Sequence, residues 1–111
     1  MLSKLNRLRK DKDIQKVFKE GRGHREDFLF LKLIENGLKE SRFAFIVGQR
    51  VSKKAVLRNK IKRRLREIVF SKLSTIKPGL DMVMVAQKGL EVKDFKELAL
   101  IVDKLFKKAK L

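Results

Sequence analysis

Six of the ten residues in RNKIKRRLRE, Arg58 to Glu67, are basic, and one is acidic. The chemistry open to such a run is grip. A guanidinium fork matches phosphate oxygens in bidentate pairs, and an amide serves a phosphate, a 2′-hydroxyl or a base edge. On a helix turning about 100° per residue, Asn59, Lys62, Arg63 and Arg66 follow i, i+3, i+4, i+7 spacing and form one stripe. Leu57, Ile61, Leu65, Ile68 and Val69 fall in a second sector, about 120° wide, that reads as the core-facing side. Arg58 sits on the border between them. Glu67, the only carboxylate of this helix, lies off the basic stripe, so salt bridges do not explain it. The positive run extends upstream through Arg50, Lys53 and Lys54 with no acid between. A solvated basic face is the ordinary alternative. A DNA-reading helix is another, but it wants a helix-turn-helix partner or a dimerising segment, and the sequence has neither.

Bond-breaking chemistry finds no residues to carry it. His24 is the sole histidine and stands beside Arg25 and Glu26; there is no cysteine. No triad is assembled, and no Gly-rich phosphate loop is present. Asp11 and Asp13 diverge at a helix start, where capping is their better role, and Glu26-Asp27 and Asp81 stand apart. No catalytic or metal-ligating residue is therefore assigned. All eight aromatics are Phe. Core packing accounts for most of them, with Phe18, between Lys16 and Lys19, the exception suited to stacking on single-stranded RNA.

The elements that must position the stripe are few. At 111 residues the chain supports one core, hence a single RNA-binding domain over 1–111. Hydrophobic residues make up 43%, enough for a packed interior, while the formal net charge of +17 calls for a polyanionic partner. No apolar run approaches the roughly 20 residues of a membrane span. The basic start lacks an apolar signal core, and Asp11 and Asp13 argue against a transit peptide, so a cytoplasmic location is expected.

Residues 1–10 read as a mobile basic arm. DKDIQKVFKEG predicts a helix capped by Asp11 or Asp13, with Ile14, Val17 and Phe18 on one stripe and Gly21 as its stop. Residues 27–35 and 42–49 read as strands, with a turn at Asn36-Gly37. The basic helix spans 55–73. After a turn at Pro78-Gly79, residues 80–88 form a strand apolar enough to be central. A helix from Asp94 to Lys108 closes the chain, with Phe95, Leu98, Ile101, Val102, Leu105 and Phe106 inward. The fold class is α+β: an α-β-β-α-β-α two-layer sandwich on a small mixed sheet.

AVLRNKIKRRLRE, residues 55–67, resembles the signature helix of the bacterial ribonuclease P protein component, A-V-x-R-N-x-x-K-R-x-x-R-E. The match falls on Ala55, Val56, Arg58, Asn59, Lys62, Arg63, Arg66 and Glu67, and DIQKVFKEG, RFAFIVG, GLDMVMVAQKG and LFKKA follow the family in order. The resemblance implies a cytoplasmic subunit, one per catalytic RNA, that assists removal of the 5′ leader from precursor tRNA. The RNA would hold the Mg²⁺ ions and do the hydrolysis. It also implies a left-handed β-α-β crossover, against the right-handed rule. By position it assigns Lys53, Lys54, Arg58, Asn59, Lys62, Arg63 and Arg66 to the catalytic RNA. Ile14, Phe18, Leu29 and Leu31 would line a leader cleft between the sheet and the first helix. The chain departs from the family where aromatics are common, at Ile14 and Leu31, and in the loop before the helix, at Gln49 and Ser52. The rival function on sequence grounds is a ribosomal or rRNA-assembly protein; a protein-only nuclease lacks its carboxylates.

Overall fold

Side-chain alternation along the strands decides which layer each residue joins. The computed structural model describes residues 4–111 and contains four strands: β1 (Arg22–Glu26), β2 (Leu29–Glu35), β3 (Arg42–Val47) and β4 (Leu80–Ala86). They form one mixed sheet in the order β1-β2-β4-β3. β1 and β4 each pair antiparallel with β2, while β3 runs parallel to β4. Helix α1 (Asp11–Glu20) precedes the sheet, α2 (Ala55–Lys72) crosses over between the parallel pair, and α3 (Phe95–Lys108) ends the fold.

The odd-numbered residues of β2 and β3 share a face with the even-numbered residues of β4. Leu29, Leu31, Leu33, Phe43, Val47, Met82 and Met84 form the main core there with Ile61, Leu65, Ile68 and Val69 of α2 and Leu98, Ile101, Val102 and Leu105 of α3. The opposite face carries a smaller cluster, Leu8, Val17, Ala44 and Val83, with Ile14, Ile34, Ile46 and Val85 packed against it. Thus α2 and α3 cover one face and α1 crosses the other. The central place expected for the 80–88 strand is where β4 lies, with Leu80 through Met84 all buried.

Local chemistry sets the ends. Asp94 and Glu97 form a reciprocal capping box at the start of α3 (2.8 and 3.1 Å). Gly21 ends α1 by close approach rather than by a left-handed turn. Its φ is −78°, and a Cβ there would sit 2.5 Å from the Val17 carbonyl oxygen and 2.8 Å from that of Leu33. Gly79 at the second turn does need its positive φ of 79°.

Five expectations are corrected. β1 is an additional strand: RGHRE has no apolar alternation, because it is an edge strand whose pairing is supplied by the hairpin to β2. Neither aspartate caps α1; Lys10 occupies the N-cap and makes no side-chain cap. Residues 4–8 are docked rather than free: Leu8 is buried, its N–H donates to the Phe43 carbonyl at 2.9 Å, and the Asn6 amide donates to the Ser41 carbonyl at 2.8 Å. The first three residues of the expected arm lie outside the described residues. Leu57 and Phe95, both expected inward, are 39% and 41% exposed, since each sits in the first turn of its helix, before the helix meets the sheet.

Candidate nucleic-acid interface

Helix α2 is held against the sheet by its apolar side. Ile61 and Leu65 are buried against the sheet, while Asn59 and Arg63 are exposed and Lys62 and Arg66 are partly so. The stripe is thereby presented outward. The side chains of Asn59, Lys62, Arg63 and Arg66 have no hydrogen-bond or ion-pair partner among the described residues. Like charges one turn apart repel by a few tenths of a kcal/mol each, so the helix carries a small electrostatic penalty that an anion would relieve.

The start of α2 adds to that potential. Its N-cap, Lys54, makes no side-chain cap, and no acid occupies the first turn. The positive end of the helix dipole therefore faces the Lys53 and Lys54 ammonium groups without a carboxylate to offset it. The Ser52 hydroxyl accepts from the Lys54 N–H at 3.2 Å. Arg58 is partly committed inside the chain: its Nη1 donates to the Ser52 and Lys53 carbonyls, both at 2.9 Å. It acts as a strap that fixes the loop from which Lys53 and Lys54 project, and only its remaining nitrogens are left for a ligand.

A second surface lies on the opposite face of the sheet. α1 crosses it diagonally: Asp13 lies 3.6 Å from Arg42 at the β3 end, and the Phe18 carbonyl accepts from Lys32 Nζ at 2.7 Å on β2. Beyond α1, one row stays half-buried across three strands, Phe30, Val85 and Ile46, which are register partners. Arg25 of β1 stacks over the Phe30 ring at 5.8 Å. Ile14 and Phe18, both expected to line a cleft, lie on this face: Ile14 packs against its apolar cluster, and Phe18 of α1 is 38% exposed.

Leu29 and Leu31 do not. Both are completely buried, on the face under α2 and α3. A strand's period of two means that a one-residue offset exchanges faces, and the β2 residues on the α1 face are their neighbours, Phe30 and Lys32. The sequence separates the two parities, Phe28 and Phe30 against Leu29, Leu31 and Leu33, but pairing with β4 decides which one meets α1. The more apolar parity belongs to the larger core.

Several of the chain's acids pair away from the stripe. Lys108 hydrogen-bonds Glu26 at 2.9 Å and holds that carboxyl below its ordinary range; Lys72 does the same to Asp103 at 3.2 Å, with Lys107 assisting. Asp81 hydrogen-bonds Arg42, which raises the guanidinium's already high pKa. None of these pairs includes a residue of the α2 stripe. Among the described residues no group of three or more His, Asp or Glu side chains converges to hold a metal ion, and no helix is long and apolar enough to cross a membrane.

Comparison with known proteins agrees with this geometry. A family profile described as Ribonuclease P matches residues 2–110. The ribonuclease P protein component of Syntrophomonas wolfei is 35% identical over 111 residues, covering 100% of this chain and 92% of that protein. That of Caldanaerobacter subterraneus is 32% identical over 111 residues, covering 100% and 95%. Among solved structures, the Thermotoga maritima RNase P protein superposes with a TM-score of 0.83 at 31% identity, over 92% of this chain and 96% of that one. A Staphylococcus aureus RNase P protein mutant with defective mRNA degradation activity reaches 0.90 at 26% identity, over 96% and 90%. With the profile spanning nearly every residue and these relatives matched over more than nine-tenths of their length, this chain belongs to the ribonuclease P protein component family.

Proposed function

We propose that this chain is the protein subunit of a ribonucleoprotein endonuclease, binding the catalytic RNA of ribonuclease P and the 5′ leader of precursor tRNA, one protein per RNA, in the cytoplasm. Lys53, Lys54, Asn59, Lys62, Arg63 and Arg66 grip the catalytic RNA, with Arg58 bracing the loop. Ile14, Phe18, Phe30, Ile46 and Val85 receive the leader, with Arg25 and Lys32 near its phosphates. Mg²⁺ held by the RNA supplies the phosphodiester hydrolysis. This chain's residues neutralise phosphates and hold the single strand in place.

The observation that carries the reading is the α2 stripe: cations aligned on one helix face, with no acid partner, in a chain of net charge +17. An rRNA-assembly role would use similar charge, but the family match speaks for ribonuclease P. The experiment is cleavage of a precursor tRNA at low Mg²⁺. Added ribonuclease P RNA and protein together should release the leader, and the protein alone should release nothing. Cleavage by protein alone, or no stimulation of the RNA, would contradict the assignment.

A further inference from the structure

The outer edge of β3 borders a groove of about 480 Å³. Arg7 and Arg9 of the N-terminal segment, Arg66 of α2, Ile14 of α1, and Phe45 and Ile46 of β3 contribute to its walls. Because α2 packs on one face of the sheet and α1 on the other, this groove wraps the sheet edge and joins the two surfaces. No carboxylate lines it. The guanidinium groups of Arg7, Arg9 and Arg66 have no hydrogen-bond or ion-pair partner among the described residues.

The backbone is available as well. Leu8 already takes the Phe43 carbonyl. Phe45, two residues on, turns its N–H and C=O to the same side, and neither has a partner among the described residues. Three unpaired guanidinium groups and a free N–H surround an apolar floor. That combination suits phosphodiesters whose bases lie against apolar side chains.

We propose that this groove is a phosphate-binding passage for single-stranded RNA, by which a strand crosses the edge of the sheet between the α2 face and the cleft beside α1. Arg66 serves both surfaces, and Arg7 and Arg9 hold the strand from the other side. The assignment rests on the reading of α2 as an RNA face, and it gives the docked N-terminal segment a ligand role. An acidic peptide adding to the β3 edge is the less suitable occupant. Only Phe45 and Val47 remain there to pair with, because the N-terminal segment has taken Phe43, and so short a ladder gives little affinity.

The test uses the full chain, a single-stranded RNA oligonucleotide and ribonuclease P RNA. Arg7 and Arg9 are exposed, so the double variant Arg7→Gln/Arg9→Gln keeps the buried Leu8 anchor. Its affinity for the oligonucleotide should fall about tenfold at low salt, and its log-affinity against log-salt slope should flatten by roughly 1.4, about 0.7 for each lost single-strand contact. Hydrogen exchange of the Phe45 amide in the wild-type protein should slow when the oligonucleotide binds. Unchanged affinity and slope in a protein that still binds ribonuclease P RNA would overturn the passage alone. A wild-type protein that fails to bind ribonuclease P RNA would overturn the parent reading. Protection of Phe45 by an acidic peptide but not by RNA would give the groove to a protein partner.

Discussion

Arg42 of β3 and Asp81 of β4 meet fork to fork across the parallel ladder. Nε donates to Oδ1 at 2.8 Å and Nη2 to Oδ2 at 2.6 Å, with the two residues in direct register. Asn36 Nδ2 donates to the same Oδ1 at 2.8 Å, so the nearly buried carboxylate also ties down the turn after β2. The remaining Arg42 nitrogen lies 3.6 Å from Asp13 of α1. Arg42→Met leaves the Asp81 charge buried with only the Asn36 amide for support, and should cost about 2–4 kcal/mol in urea denaturation. Asp13→Asn removes a longer, more exposed contact and should cost less than about 1 kcal/mol. Equal costs would mean that Arg42 acts mainly on α1.

Adjacent residues of β2 should separate stability from binding. Leu31→Ala opens a cavity in the main core and should destabilise the chain by about 2–5 kcal/mol. Phe30→Ala removes a half-buried ring that Arg25 covers. It should weaken affinity for precursor over mature tRNA while costing less stability than Leu31→Ala. Denaturation and paired binding assays read the two effects, and a larger loss of leader discrimination from Leu31→Ala than from Phe30→Ala would reverse the assignment of faces.

That assignment also marks where the sequence was readable. Period 3.6 over residues 57–69 placed Ile61, Leu65, Ile68 and Val69 inward and Arg63 outward, because a helix with one apolar side has only one way to lie on a sheet. The same periodicity placed Leu98, Ile101, Val102, Leu105 and Phe106 of α3 inward. The strands were harder. Both parities of β2 are apolar, so pattern alone could not say which faced α1, and the face was settled by long-range pairing with Met82 and Met84. RGHRE carried no strand signal at all. Nor could spacing show that Arg58 would turn back onto the Ser52 and Lys53 carbonyls, or that Arg7 and Arg9 would meet Arg66.

Acid should loosen the junction of β1 and α3. The Glu26 carboxyl is lowered by its hydrogen bond from Lys108, so its contribution is present above the ordinary carboxylate range and is lost as pH falls through the depressed folded value. Asp103 behaves alike through Lys72. The stability difference between wild type and Glu26→Gln, measured by urea denaturation, should therefore shrink as pH is lowered through and below the acidic range. A difference that grew on acidification would contradict the sign.

The central claim is that one face of α2 is shaped for the RNA backbone. Salt titration of binding to ribonuclease P RNA tests it most directly, comparing wild type with Arg63→Gln and with Lys62→Gln/Arg63→Gln. Arg63→Gln should weaken binding by about 1–3 kcal/mol. Each removed cation should flatten the log-affinity against log-salt slope by close to one, about 0.9 where the RNA is helical and 0.7 where it is single-stranded. Variants that bind as tightly as wild type, with an unchanged slope, would show that these side chains face only water.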